Sequence, residues 1–502
     1  MLGRVDVGLR WLAGLSLALA VPLACSSAAD LGASGAGAGA GATLGTGGTD
    51  ATVPRSLDDE TGEWAEDEFS EPPDADAGAL GRNRFCPGVS AVPRQREFTV
   101  GDPDSFASPA IALELLRAGV APIPQLVRSQ DFLNYFPPAP PYSGHANTTE
   151  VSSATLQLRH LEGTSYDLAV SIRASDVAPP ASARVVVLID DTASMGDAAA
   201  PGSPLGRAKR IASRIIELAP PGVLLRTVTG VAIASPDDLQ NAGLEASINL
   251  ALASVISAAD TAPLDQHDRL FLLTDGKDDP AFLPPELERF PILDASLHVI
   301  SVAAPLDHPD RYFRAASNLG RGHYVHAGSE LEAQVVETQR LPEMLMAALR
   351  DVRLQLELPW YFEVEEPPTE ALVGDEVGAS PKKNLGSGAS HTFLFRLTAC
   401  HESAVDPSAL LTATLSFVDP SGLRAQVMIS DVAALLLDPK SSDDLLRLRA
   451  VYTAAEALKT LDRDALLSAH GAVLAAAKAG TGDPRLVDLH LQLAKHPLLA
   501  AP

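Results

Sequence analysis

Arg184-Val185-Val186-Val187-Leu188-Ile189-Asp190-Asp191-Thr192-Ala193-Ser194-Met195 and Arg269-Leu270-Phe271-Leu272-Leu273-Thr274-Asp275-Gly276 decide the fold class of this chain. Each opens with an apolar run that does not alternate, the pattern of a parallel strand covered on both faces rather than of a strand with one wet side. Residues 295–303 form a third such run. Between the runs lie an amphipathic helical pattern over 205–218, closed by Pro220 and Pro221, a strand-like stretch over 223–234 and a long helical pattern over 239–259. Strand and helix alternate through Leu345, which predicts a doubly wound α/β domain over 181–346.

Both leading runs end in hydroxyl and carboxylate residues, at the carboxyl ends of parallel strands where open α/β sheets place their ligands. Such oxygen donors suit a small divalent cation. Thr192 and Ser194 stand two apart on the loop leaving the first strand, so both hydroxyls can face one ion. Asp190 and Asp275 can hold the ion's waters, which limits the negative charge touching the metal. A cation held in this way stays electrophilic and has an open position for a carboxylate from a partner.

Asp190-x-Thr192-x-Ser194-Met195 resembles the DxSxS motif of von Willebrand factor type A (VWA) domains, and Thr274-Asp275-Gly276 resembles their second aspartate motif. The resemblance extends to the YfbK-like bacterial group, carried by Phe98-Thr99-Val100-Gly101-Asp102-Pro103-Asp104-Ser105-Phe106, residues 127–136, Gly320-Arg321-Gly322-His323-Tyr324, residues 350–356 and Gly388-Ala389-Ser390-His391-Thr392. It spans roughly residues 95–440. It implies a Rossmann-like VWA domain with a metal-ion-dependent adhesion site (MIDAS) taking Mg²⁺, or Mn²⁺ or Ca²⁺. The family carries a further ligand, a Thr in a loop before the middle helix. Aligning Ala242-Gly243-Leu244 with that helix puts Asp238 in its place, after a segment 223–237 that is shorter than usual for the family. The implied ligand set is Asp190, Thr192, Ser194, Asp238 and Asp275. A carboxylate at 238 would raise cation affinity and weaken the cation's pull on a partner's carboxylate. The alternative reading is a VWA fold whose metal site has decayed, leaving a structural scaffold.

Around the domain, residues 154–159, 166–172, 352–358, 392–398, 411–418 and 425–432 alternate as strands. Neither flank has enough strands to close a sandwich alone, so the two are expected to pair with each other and bring the domain's ends together. Residues 442–478 and 483–495 read as Leu- and Ala-rich helices. The expected organisation is a signal peptide (1–24), an Ala/Gly-rich and then acidic tether (25–84), a pre-VWA region with strands (85–180), the VWA domain (181–346), an all-β, sandwich-like region (350–440) and a helical C-terminal region (441–502).

Arg4 and Arg10 precede an apolar run over 11–23 that is too short to span a membrane and reads as a secretory signal. Val21-Pro22-Leu23-Ala24-Cys25 resembles a bacterial lipoprotein cleavage site, with Cys25 as the lipid-bearing residue; cutting after residues 18–20 or at Ala24 would instead release a secreted protein. The expected location is thus the bacterial cell envelope, periplasmic or surface, or outside the cell, with membrane contact only through the lipid. Cys86 and Cys400 then remain, as a disulfide or as two free thiols. The formal charge of −26 lacks the cationic footprint of a nucleic-acid binder. None of the scattered histidines forms HExxH, and His267, His298 and His323 read as surface or loop residues. With no activated nucleophile beside the metal motif, the expectation is a binding module and not an enzyme, its partner a protein engaged through an acidic side chain.

Overall fold

The two alternating stretches ahead of the first buried run form β3 (Ser152–His160) and β4 (Ser165–Ala174), preceded by two strands that the alternation did not mark, β1 (Arg94–Thr99) and β2 (His145–Thr148). The buried runs, the chain between them and the stretch that follows give β5 (Val185–Ile189), β6 (Leu224–Thr227), β7 (Ala232–Ile233), β8 (Arg269–Thr274), β9 (Ser296–Ser301) and β10 (Arg321–His326). The second flank supplies β11 (Ala347–Leu358), β12 (Phe362–Glu366), β13 (Leu385–Gly386), β14 (Ser390–Ala399), β15 (Leu410–Asp419) and β16 (Gly422–Asp431). The computed structural model describes residues 86, 94–99, 106–137, 145–148, 152–258, 268–277, 283–290, 295–306, 310–366, 384–419, 422–479 and 483–500. All lie in the unit Asp74–Pro502. The signal peptide, Cys25 and the tether to residue 84 fall outside the described residues, as does His267. Among the described residues no helix is long and apolar enough to cross a membrane.

The central sheet runs β10-β9-β8-β5-β6-β7, parallel throughout except that β7 is antiparallel to β6. Successive side chains of a strand face opposite sides, and here both sides are covered. Val185, Val187 and Ile189 pack with Leu205, Ala208, Ile211 and Ile215 of helix Pro204–Leu218. Leu188, Leu270 and Leu272 pack with Ile248, Leu252 and Ile256 of helix Ile248–Ala258 and with Phe313 of helix Asp310–Leu319. This double burial is why the runs are continuous rather than alternating. Helix Pro204–Leu218 starts where Pro204 fixes the first turn and the Ser203 hydroxyl accepts from the Gly206 amide. The register sets Ile189 opposite both Leu273 and Thr227, so Asp190 and Asp275 leave the sheet at one edge.

Two expected elements differ. The single strand over 223–234 is a hairpin, β6 and β7, turned through Gly230 at φ +93°, with the Thr227 amide donating to the Val231 carbonyl. The helix expected over 239–259 begins only at Ile248. Gly243 sits at φ +66°, outside helical space, and the main chain of Ala242 and Leu244 hydrogen-bonds to the loop after β5 instead of along a helix.

The flanking strands share two sheets. One runs β1-β11-β15-β16, with β13 also on β11; the other runs β12-β14-β4-β3-β2. β4 pairs with β14 from Ser165 opposite Thr398 to Arg173 opposite Ser390, and β1 pairs with β11. Pre-domain and post-domain segments therefore meet within each sheet, and their inward side chains form one core that includes Phe98, Leu156, Val170, Leu354, Phe393, Phe395 and Leu415. A disulfide joins Cys86 to Cys400, with their Cα atoms 5.7 Å apart, tying the chain ahead of β1 to the end of β14. The C-terminal helices are not a separate tail. Leu445, Leu448, Val451, Ala454 and Leu458 of helix Pro439–Thr460 belong to the same core as Phe132, Phe136 and the β5 side chains. Arg449 of that helix and Arg396 of β14 both pair with the fully buried Asp167 of β4.

Candidate functional site

Asp190 follows the last residue of β5, and Thr274 and Asp275 end and follow β8. The chain after Asp190 turns through a short 3-10 segment, Ala193–Met195, whose Met195 is wholly buried and anchors the turn. Asp190 is also fully buried. Its Oδ1 accepts from the Thr192 amide at 3.0 Å and the Thr192 hydroxyl at 2.6 Å, and its Oδ2 accepts from the Thr274 hydroxyl at 2.5 Å. The Thr192 and Ser194 hydroxyls lie 3.2 Å apart, and Ser194 donates to Asp275 Oδ1 at 3.1 Å. Asp275 Oδ1 also accepts from the Lys277 amide at 3.1 Å across a turn in which Gly276 takes φ +70°. Asp190, Thr192, Ser194 and Asp275 are thus linked side chain to side chain, with Thr274 holding the first carboxylate.

Burial pushes the Asp190 carboxyl above its ordinary range; the hydrogen bonds from Thr192 and Thr274 work against that shift, and the neighbouring Asp275 charge adds to it. Two carboxylates and two hydroxyls, with no nitrogen or sulfur among them, form a donor set suited to a hard cation such as Mg²⁺. Among the described residues no three His, Cys, Asp or Glu side chains group closely enough to hold a metal ion. The fit therefore rests on hydroxyl oxygens as much as on carboxylates.

The structure does not bring Asp238 to this cluster. It is exposed and closes a 3-10 turn, its Oδ2 accepting from the Ser235 amide at 3.0 Å while the Ser235 hydroxyl accepts from the Asp237 amide at 3.2 Å. Its carboxylate serves as a cap because Pro236 and the serine before it set up that turn locally. The segment that reaches the loop after β5 lies just beyond. The Ala242 amide donates to the Asp191 carbonyl at 2.8 Å, and the Ala193 amide donates to the Leu244 carbonyl at 3.1 Å. Asn241 Nδ2 donates to the carbonyls of Thr192 at 2.9 Å and Gly196 at 2.7 Å. From the other side, Asp191 accepts from the Thr229 amide at 3.1 Å and hydroxyl at 2.6 Å, which fastens the β6–β7 turn beneath the loop. Sequence reading passed over Thr229 and Asn241. Thr229 fell inside the expected strand over 223–234 and Asn241 inside the expected helix over 239–259, where a single polar residue carries no signal of a loop contact.

His298 and His323, expected at the surface, are buried. Their rings stack at 5.4 Å, His298 also stacks on Phe271 and His323 on Phe106, and the His323 amide donates to His298 Nδ1. They lie on β9 and β10, inside the covered sheet, where an imidazole serves as a flat core residue.

No family model and no curated protein sequence matches the chain. Among solved structures, a von Willebrand factor type A protein from Catenulispora acidiphila aligns at 13% identity over 70% of this chain and 99% of its own, with a TM-score of 0.39. A pilus adhesin from Lactobacillus rhamnosus GG, in an open conformation, aligns at 10% identity over 56% of this chain and 47% of its own, at 0.25. An aerotolerance-related membrane protein from Bacteroides fragilis aligns at 15% identity over 32% of this chain and 100% of its own, at 0.26.

Proposed function

We propose that this chain is an exported, divalent-cation-dependent protein-binding module of the VWA type, from the YfbK-like bacterial group, and not an enzyme. The observation that carries the reading is the convergence of Asp190, Thr192, Ser194 and Asp275 at one edge of the parallel sheet. Thr192 and Ser194 would offer hydroxyl oxygens to Mg²⁺, or to Mn²⁺ or Ca²⁺, and Asp190 and Asp275 would balance its charge. Bound there, the cation supplies a Lewis-acidic point for an Asp or Glu carboxylate of a partner protein. Asp190 is disposed to favour a cation, since its carboxylate is buried beside another carboxylate and the linked hydroxyls only partly offset that cost. The Cys86–Cys400 disulfide fits an oxidising compartment and so supports export, to the envelope or beyond.

The placement of Asp238 favours a second reading. Without a ligand from that loop the metal site is one donor short of the family's set, which suits a scaffold that no longer binds metal. Titrating the purified chain with Mg²⁺ and Mn²⁺ by calorimetry and thermal melting separates the two. Binding stabilises by RT ln(1 + [L]/Kd), about 2.7 kcal/mol at a hundredfold excess over Kd. Asp190→Ala is expected to abolish that gain. If the wild-type protein shows neither heat nor a melting shift at millimolar ion, the scaffold reading stands.

A further inference from the structure

We infer that Asn241 is a positioning residue for the metal loop. It braces the turn that presents Thr192 and Ser194, in place of the hydroxyl ligand that the family's loop supplies here. The inference rests on the proposed cation site. Its geometry stands apart from it.

The loop from Asp191 to Gly196 has one short 3-10 turn and no sheet partner. Left alone, such a segment samples many conformers, and a cation needing both hydroxyls within reach would have to order it on binding, at a cost in conformational entropy. Asn241 removes much of that freedom. Its two amide protons go to carbonyls at opposite ends of the turn, Thr192 at 2.9 Å and Gly196 at 2.7 Å, so one side chain spans the whole segment carrying Ser194. Its Oδ1 accepts from the Gly243 amide at 2.7 Å, which bends residues 241–244 into a strap. Gly243 at φ +66° permits that bend. Two main-chain bonds then fasten the strap, from Ala242 to the Asp191 carbonyl and from Ala193 to the Leu244 carbonyl.

No other amide fills this role within the strap, which reads Asn241-Ala242-Gly243-Leu244. Aspartate would set a carboxylate against two carbonyl oxygens, and glutamine would place its amide one methylene further out. With the turn held, the 3.2 Å separation of the Thr192 and Ser194 hydroxyls is set before any ion arrives. Binding then orders less of the chain, and affinity rises accordingly.

The test compares Mn²⁺ binding by calorimetry for wild type, Asn241→Ala and Asp238→Ala. Asn241→Ala is expected to raise Kd about tenfold, which corresponds to about 1.4 kcal/mol. Asp238→Ala loses only an exposed cap, so it lowers the melting temperature slightly and leaves Kd within about twofold of wild type. Should Asn241→Ala not fold, Asn241→Ser, too short to span the turn, is read in the same way. An unchanged Kd in the Asn241 variant, or an equal loss in both variants, overturns the inference. If wild type binds no Mn²⁺, the cation reading fails and the brace is judged on amide hydrogen exchange in metal-free protein. There Asn241→Ala is expected to speed exchange at Ala193 about tenfold or more, and unchanged protection at that amide sinks the brace as well.

Discussion

Replacing Cys86 and Cys400 together by serine tests how the sandwich is closed. The bond spans a sequence separation of 314 residues, enclosing the whole α/β domain and most of the β strands. In the chain-entropy model, cross-linking a loop of that length removes about 5–6 kcal/mol of denatured-state freedom. Residual structure in the unfolded chain lowers this, and engineered and native bonds fall mostly at 2–5 kcal/mol, so a loss of about 3–4 kcal/mol is expected. The loss should centre on β1, an edge strand held to β11 by pairing from Arg94 to Thr99 and led in by the segment carrying Cys86. Urea unfolding followed by far-UV and near-UV circular dichroism should show a midpoint lower by roughly 1 M in the double variant, and equally in wild type under reductant. Identical midpoints in oxidised, reduced and serine forms would falsify the reasoning. So would two freely alkylated thiols in unreduced wild type.

Asp167→Ala should destabilise by about 3–5 kcal/mol, because it leaves the Arg396 and Arg449 guanidinium groups facing each other with their shared carboxylate gone; a loss under about 1 kcal/mol in thermal or urea unfolding would contradict the pairing. Burial, with the charges of His323 and Arg269 adding to it, holds the His298 imidazole well below its usual value of 6.5. The unfolded chain then takes up a proton near that value while the folded one does not, so stability is complete above pH 6.5 and falls as pH drops below it, by up to about 1.4 kcal/mol per pH unit. His298→Gln should flatten that slope between pH 6.5 and 5, and an unchanged slope would assign the acid sensitivity to other groups.

What the sequence by itself determined is whatever local pattern encodes. Continuous apolar runs marked β5, β8 and β9 as parallel and doubly covered, because covering both faces removes the need for polar alternation. The residues closing two of those runs located the candidate site, since a chain leaving a parallel strand must deliver them to the sheet's carboxyl edge. Alternation in the flanks, with too few strands on either side, was enough to foresee shared sheets. Tertiary structure alone decided the rest. Whether Cys86 meets Cys400 depends on where β1 and β14 end in space, which no spacing records. Asp238 occupies the aligned ligand position yet caps its own turn, because the Ser235 amide offers its carboxylate a partner closer in sequence than any in the site. Asn241 reads as one polar residue of an expected helix until the fold leaves it in a loop, 2.7 Å from the Gly196 carbonyl. Hydrogen bonds between segments distant in sequence leave no periodicity behind, so their donors become legible only when the chain has closed on itself.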